Sequence, residues 1–393
     1  MQAVILAAGK STRTYPLTVT RPKQLLTVLN KTILEHNLDA LAGLVDEAII
    51  VVGYKKEMII ERFGNKYKGI RLEYVTQKEQ LGTGHALTLV KHLVKDRFIM
   101  LYGDDLYSGK DLKKCLTHKY CVLAREVKDP QRFGVLKLKG GRVTGIVEKP
   151  KTFVSTLANC GGFVLDKKIF DVKLEKTERG EYEATDFINS LAGKEKIDYE
   201  RVEDYWIPIG YPWSLLEANE LLMATVKEKN LGRIEKGATI KGPVQIGSGT
   251  IVKSGSYIEG PVIIGEDCEI GPNCYLRKGT TVGHRCKIGQ ATEVKNTIIM
   301  DDSKVPHLSY IGDSVIGEHV NLGAGTITAN LRHDSGSVKS MVREQLVDTG
   351  RRKLGAIIGD HVHTGINTSI FPGRKIWPNK TTQPGEIVTK DVM

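Results

Sequence analysis

No apolar run in the 393 residues approaches the eighteen or so that a membrane-spanning helix needs. Met1 runs directly into a strand pattern with no leader-like region, so the expectation is a cytoplasmic chain with no membrane partner. None of the six cysteines stands in C-x-x-C spacing, which removes the common zinc pattern. Aromatic residues are scarce, at 6%, and do not interleave with basic ones. Without that interleaving or a Lys/Arg block, no nucleic-acid partner is expected. What is plentiful is scattered charge, 26% of residues with a formal net +11. That balance favours an anionic partner, here small anionic substrates and phosphates above all. The length suits two or three domains.

The cysteines turn attention to a repeat. Ile240, Ile246, Val252, Ile258, Ile264, Ile270, Leu276, Val282, Ile288 and Val294 stand six apart, with Gly close behind most of them. A helix repeats at about 3.6 residues and a strand at about 2, so neither accounts for six. Three such units per coil give an eighteen-residue coil, stacked as a triangular prism. Cys268, Cys274 and Cys286 fall four places after a repeat position, where Val244, Thr250, Ser256, Val262, Thr280 and Thr292 also stand. That slot reads as inward-facing and small, so these cysteines are packing residues. Six or seven coils are expected, interrupted by a charged insert at 331–353 and fraying after Pro372-Gly373. Repeated flat faces and a triangular section predict a homotrimer.

The first half alternates apolar runs (Ala3–Leu6, Ala48–Val52, Leu72–Val75, Phe98–Leu101) with helical patterns at Ile33–Ala42, Lys56–Phe63 and His85–Val94. This predicts a doubly wound α/β domain. Antiparallel strands follow near Cys121–Glu126, Gly134–Leu138, Val143–Glu148 and Gly161–Leu165, with Gly140-Gly141 as a hairpin turn. Pro212 opens a helix predicted to reach about Lys229. The expected boundaries are 1–225, a linker with hinge at 226–237, and 238–393.

Leu6-Ala7-Ala8-Gly9-Lys10-Ser11-Thr12-Arg13 leaves the first strand, and Pro16-Leu17-Thr18 and Arg21-Pro22-Lys23 follow. A strand entering a Gly-containing loop gathers N–H groups around an anion, and Arg13 and Lys23 add charge. The pattern resembles the signature of sugar-1-phosphate nucleotidylyltransferases, L-x-A-G-x-G-T-R-x-x-P-L-T then R-P-K, with Ser11 where the family usually has its second Gly. The resemblance implies that Ala7, Ala8 and Gly9 bind the nucleotide and that Arg13 and Lys23 are catalytic. Gln77-Lys78-Glu79-Gln80-Leu81-Gly82-Thr83-Gly84-His85-Ala86 is similar to the base- and sugar-reading loop of the uridyltransferase branch. There Gln77 presents donor and acceptor to a pyrimidine edge, and Gly82 and Thr83 complete the loop. Gly134, Glu148 and Asn159 match residues that grip the sugar, and Asp104 in Tyr102-Gly103-Asp104 matches the Mg²⁺ ligand. One departure stands out. Trp206-Ile207-Pro208-Ile209-Gly210 has Pro208 where the family carries a second metal ligand, leaving Asp105, Glu203 or Asp204 as possible substitutes.

The prism carries a second constellation. Pro306-His307-Leu308-Ser309-Tyr310-Ile311-Gly312-Asp313 leads to Val320-Asn321-Leu322-Gly323-Ala324-Gly325-Thr326-Ile327-Thr328-Ala329-Asn330. This resembles the acetyltransferase site of bifunctional N-acetylglucosamine-1-phosphate uridyltransferase/glucosamine-1-phosphate N-acetyltransferases of archaeal type. With the first match it covers almost the whole chain, and the prism is then a left-handed parallel β-helix. Outward residues His307, Tyr310, Asn321 and Asn330 are expected to cluster near one edge. Attack on a thioester needs a free amine, so His307 is the expected base, oriented by Asn330, with the Ala324 backbone serving acetyl-CoA. Arg277 and Lys295 would hold the sugar phosphate beside Tyr310, and the insert offers Lys339 and Lys353.

The reading is a bifunctional enzyme that acetylates glucosamine 1-phosphate or galactosamine 1-phosphate from acetyl-CoA, then transfers uridylyl from UTP with Mg²⁺. Two others stand beside it: a thymidylyl- or uridylyltransferase using dTTP or UTP with an inert prism, and a non-catalytic assembly subunit resembling translation-factor relatives.

Overall fold

A computed structural model describes residues 1–177 and 180–393. They form two compact units: Met1–Lys10 with Ile33–Pro208, and Ser11–Thr32 with Ile209–Met393.

The first unit is built on a mixed sheet. Gln2–Ala7 lies at its centre, parallel to Glu47–Val52 on one side and to Arg97–Tyr102 on the other. Ile70–Thr76 extends the first side, also parallel. Gln2–Ala7 and Glu47–Val52 are buried along their whole length, as strands covered on both faces must be. The chain reverses its direction of sheet growth between Gln2–Ala7 and Arg97–Tyr102, and the loops that follow them open at this switch point. Beyond Arg97–Tyr102 the sheet turns antiparallel. Leu157–Asp166 pairs with it and, through a register irregularity between Asn159 and Phe163, also with Cys121–Glu126. Gly134–Lys139 and Arg142–Glu148 form the expected hairpin around Gly140-Gly141.

Helices cover the sheet at Ile33–Leu41, Lys56–Phe63, Thr83–Thr88, Gly109–Cys115 and Thr185–Ala192. The third is shorter than the expected His85–Val94. The Thr88 hydroxyl donates to the His85 carbonyl at 2.7 Å, and the chain continues in tighter turns to Leu93.

The second unit contains three parallel sheets, one per prism face. The first and third have eight strands each, Lys229–Asn230 through Lys375–Ile376 and Thr239–Lys241 through Ile387–Val388. The second has five, Arg233–Ile234 through Lys304–His307, and isolated bridges carry it on through Asn321, His363 and Thr381. This is the left-handed parallel β-helix expected of the six-residue repeat. Repeat positions fill its core, with Val252, Ile258, Ile270, Leu276, Val282, Ile288 and Val294 wholly buried. The small slot also faces inward, and its polar atoms are satisfied between coils. The Thr250 hydroxyl donates to the Gly265 carbonyl at 2.7 Å and accepts from the Cys268 N–H at 2.9 Å. All six cysteines are buried and free.

Four details differ from expectation. The prism has eight coils rather than six or seven, because Lys229 already pairs with Gln245 and strands continue past Pro372-Gly373. The helix expected to reach Lys229 spans Ser214–Leu222, closed by a 3-10 turn at Met223–Thr225. Gly232 to Gly237, expected as a hinge, lies in the first coil, where Arg233 pairs with Ile251. The coil length also slips by one residue: Ile264 pairs with Val282, but Val282 pairs with Ile299 and Ile299 with Ile316. The insert folds back as a hairpin, Lys339–Val342 with Gln345–Asp348, closed at its base by a Leu331–Lys353 bridge.

The segment Ser11–Thr32 packs within this second unit. The Arg21 guanidinium meets Asp360 at 2.6 Å, both side chains being buried, and also pairs with the partly exposed Glu318. The Asn30 amide donates to the Val282 carbonyl at 2.6 Å, and the Leu29 N–H donates to Asn219 at 3.1 Å. Lys23 is buried and donates to the Ile209 carbonyl at 2.7 Å.

Candidate functional sites

The first unit places Ala7 and Ala8 in the core and Gly9 in the open, at the C-terminal end of the central strand. The Ala8 carbonyl accepts the Gln80 amide at 2.9 Å, so the Gln77–Ala86 loop is tied to the strand end. Gln77 is nearly buried, and its amide nitrogen reaches the Gly82 carbonyl and His85 Nδ1, both at 3.1 Å. That amide nitrogen therefore also braces its own loop. Gly82 has φ 103°, and a Cβ there would lie 2.4 Å from the Tyr182 carbonyl, so only glycine fits. The Thr83 hydroxyl accepts the Ala184 N–H at 2.9 Å, which makes it a bracing residue too. The backbone at Tyr182 closes this arrangement, exchanging bonds with Leu81 and Gly84. No motif in the sequence marks Tyr182.

Gly134 pairs with Glu148, whose carboxylate lies where a Gly134 Cβ would be. Asn159 sits at the sheet irregularity and accepts the Gly161 N–H at 2.9 Å. Asp104 is half-buried just past the Arg97–Tyr102 strand. Its expected substitutes for a second ligand are engaged elsewhere: Asp105 accepts the Trp206 indole N–H at 2.9 Å, Asp204 accepts the Ser108 hydroxyl at 2.7 Å, and Glu203 pairs with Lys114. Pro208 pairs with Asp105 through the backbone alone. Among the described residues no group of three His, Cys, Asp or Glu side chains is placed to hold a metal. One carboxylate suits an ion held mostly by phosphate oxygens and water, as Mg²⁺ often is.

The second unit holds the rest of the signature loop. Ser11 has φ 53°, and its carbonyl accepts the Thr14 N–H and the hydroxyls of Thr14 and Thr18. This locks the loop while the N–H groups of Ser11, Thr12 and Arg13 find no acceptor among the described residues. Arg13 is exposed, its guanidinium 5.7 Å from the Tyr211 ring centre. Such a loop is a ready anion site.

On the β-helix, His307 is exposed at the end of the second face and pairs with Gln290 on the preceding coil. Its carbonyl accepts the Gly325 N–H at 3.2 Å, which stacks the next coil on it. In that coil the Ala324 carbonyl accepts the Asn367 N–H at 2.7 Å, while its own N–H has no acceptor among the described residues. Asn321 lies on the same face, bridged to Lys304 and His363.

The third face carries a different cluster. Asn330 donates to the Tyr310 hydroxyl at 3.1 Å and to Asp313 at 2.5 Å, so the expected Asn330–imidazole contact is replaced by these. Lys295 pairs with the same buried Asp313 at 2.9 Å, and Arg277 with Glu293 at 2.8 Å. Both cations thus have carboxylate partners that spacing alone did not reveal. Gly312 lies beneath, and a Cβ there would be 2.5 Å from the Tyr310 hydroxyl. Leu308, 65% exposed with φ 52°, forms the corner that separates His307 from Tyr310. Next to Asn330 a cavity of about 550 Å³ is lined by Leu331, Arg332, Lys339, Leu346, Phe371 and Arg374, among others. Lys339 reaches this cavity; Lys353 closes the base of the insert instead.

Comparison with known proteins covers both units. Residues 2–225 match the nucleotidyl transferase family, and residues 258–390 match the GMPPB C-terminal domain. The chain is 42% identical over its whole length to the bifunctional protein GlmU of Methanocaldococcus jannaschii, covering 96% of that protein. It is 43% identical, again over its whole length, to the bifunctional sugar-1-phosphate nucleotidylyltransferase/acetyltransferase of Sulfurisphaera tokodaii, covering 98% of it. A crystal structure of a Bacillus anthracis protein described as a glucose-1-phosphate thymidylyltransferase superposes on 59% of the chain, with 29% identity and a TM-score of 0.52. The chain therefore belongs to the family of bifunctional sugar-1-phosphate nucleotidylyltransferase/acetyltransferases.

Proposed function

We propose that the chain acetylates an amino-sugar 1-phosphate, glucosamine or galactosamine 1-phosphate, and then converts the N-acetyl sugar 1-phosphate to its UDP derivative. The observation that carries this is likeness, end to end, to relatives named as bifunctional, one of them for both activities, so neither unit is left over.

In acetyl transfer the sugar amine attacks the thioester carbonyl of acetyl-CoA. His307, exposed on its coil, takes the amine proton as the C–N bond forms, and the C–S bond breaks to release coenzyme A. The uncommitted Ala324 N–H one coil away is suited to the oxyanion that develops. Arg277, Lys295 and Tyr310 bind the sugar phosphate, their charge moderated by Glu293 and Asp313. The cavity with Arg332, Lys339 and Arg374 receives the anionic part of the coenzyme. His307 and the Tyr310–Asn330 cluster lie on two faces of one chain, which supports a homotrimer whose neighbouring copies complete each site. Exposed Leu308 and Ile366 supply apolar surface for that association.

In nucleotidyl transfer a phosphate oxygen of the sugar 1-phosphate attacks the α-phosphorus of UTP, and the bond to the β-phosphate oxygen breaks to release pyrophosphate. No side-chain base is needed, because the nucleophile is already an anion. The Gly9–Arg13 loop and Lys23 hold the phosphates, Gln77 and Gly82 the base, and Gly134, Glu148 and Asn159 the sugar. Mg²⁺ at Asp104 would neutralise phosphate charge. We place the enzyme in the cytoplasm with its soluble substrates; separately, among the described residues no helix is long and apolar enough to cross a membrane.

The test supplies glucosamine 1-phosphate, acetyl-CoA, UTP and Mg²⁺ and follows free thiol and pyrophosphate separately. His307→Ala should lose acetyl transfer by about 10² to 10⁴ and keep uridylyl transfer from N-acetylglucosamine 1-phosphate. Lys23→Ala should do the reverse. Joint loss in either variant sinks the two-site reading.

A further inference from the structure

The insert in the β-helix ends in a two-residue turn, Arg343-Glu344, with φ 46° and 64°. Turns of this type favour Asn and Gly, which enter the left-handed region cheaply. Arg and Glu do not, so the turn is held by its surroundings. The hairpin is accordingly well anchored. Buried Ser340 donates to the Gly373 carbonyl at 2.8 Å, Lys375 to the Met341 carbonyl at 2.5 Å, and Arg374 to the Lys339 carbonyl at 2.9 Å.

What this strained tip presents is the Arg343 side chain. Its Nε donates to the Thr12 hydroxyl at 2.7 Å, in the middle of the loop whose N–H groups at Ser11, Thr12 and Arg13 stay uncommitted. Arg21, Arg277, Arg285, Arg332 and Arg351 all meet carboxylates. Among the described residues Arg343 meets none, and it is exposed. A guanidinium that spends one N–H on a hydroxyl keeps four for an anion.

We infer that Arg343 is a phosphate-binding residue of nucleotidyl transfer, lent to the signature loop by the insert of the acetyltransferase half. Arg13, the residue after Thr12, supplies a second exposed guanidinium, and the two hold the β- and γ-phosphates that leave as pyrophosphate. This rests on the reading of that loop as the UTP site. It also answers the departure at Pro208: with one carboxylate fewer for metal, more of the triphosphate charge falls to fixed cations.

Uridylyl transfer by full-length Arg343→Ala, Arg343→Lys and Lys23→Ala variants tests it, with acetyl transfer and thermal midpoint measured alongside. For Arg343→Ala, kcat/KM for UTP should fall tenfold or more. Its dependence on salt should become shallower than the parent's, as expected when one phosphate contact is lost. Acetyl transfer and melting should be unchanged. Arg343→Lys should recover part of the loss, since it restores charge without the fork. An Arg343→Ala enzyme within twofold of the parent overturns the inference, and so does a loss shared by both activities with a lower melting point and an unaltered salt dependence. If Lys23→Ala keeps full uridylyl transfer, it is the assignment of the UTP site that fails.

Discussion

Asn330 shows how a short polar side chain is allotted by packing. It stands twenty-three positions after His307 in the sequence, but the corner at Leu308 turns the imidazole onto another face, and Asn330 meets Tyr310 and Asp313. On the proposed reading its part in acetyl transfer is to fix the cluster assigned to the sugar phosphate. Asn330→Ala should raise KM for the sugar phosphate several-fold while leaving kcat within about tenfold, a far smaller loss than that of His307→Ala. Steady-state rates against sugar phosphate decide it, and an equal collapse of kcat in both variants would restore Asn330 as the partner of the base. Residues whose places depend on chain-local geometry, such as Gly9 after its strand or Asp104 after its own, were legible from sequence. Gln77 and Thr83 were legible as loop members only, because their bonds depend on which backbone folds over them. Asp313 and Glu293 went unseen as partners: each lies about one coil from its cation, and a six-residue pattern does not say which outward side chains lean together.

At the scale of elements, the strict repeat exposed the β-helix because every sixth side chain must enter a narrow core. The same argument hid its ends. Lys229–Asn230 and Lys375–Ile376 pair in register although their outer or charged residues break the pattern. Lys375 is the sharper case, a lysine with 1% exposure stacked on Ile357, with its amine against the Met341 carbonyl. Burial pulls it down to about 8, against a smaller opposing pull from Asp391. Between there and the usual lysine range the unfolded chain binds a proton that the native chain has shed, so stability rises with pH across that window. Thermal midpoints taken from pH 7.5 to 10 should climb in the parent by more than in Lys375→Met, and parallel profiles would show that the amine titrates normally. Burial also raises Asp391, the carboxylate that faces Lys375.

For the whole molecule, the alternation of the first half and the period of the second were enough to name both architectures. The membership of Ser11–Thr32 was not, since a loop signature says what a segment binds and nothing of what it packs on. The proposed three-fold association should be sensitive to the corner beside His307. Leu308→Glu with Ile366→Glu should shift the mass measured by light scattering from three copies to one and abolish acetyl transfer, with uridylyl transfer retained. A trimer that persists in this double variant places the contact elsewhere.

The buried pairing of Arg21 with Asp360 and Glu318 bears on how the enzyme can be dissected. Removing the partners of an enclosed charge costs about 3 to 5 kcal/mol, whereas an apolar stand-in of similar size is often tolerated. A fragment cut after residue 225 would keep the guanidinium and lose both acids, so the catalytic halves are not interchangeable cassettes. Any graft of this first half onto a foreign scaffold must bring its own counter-ions, or begin by replacing Arg21 with methionine.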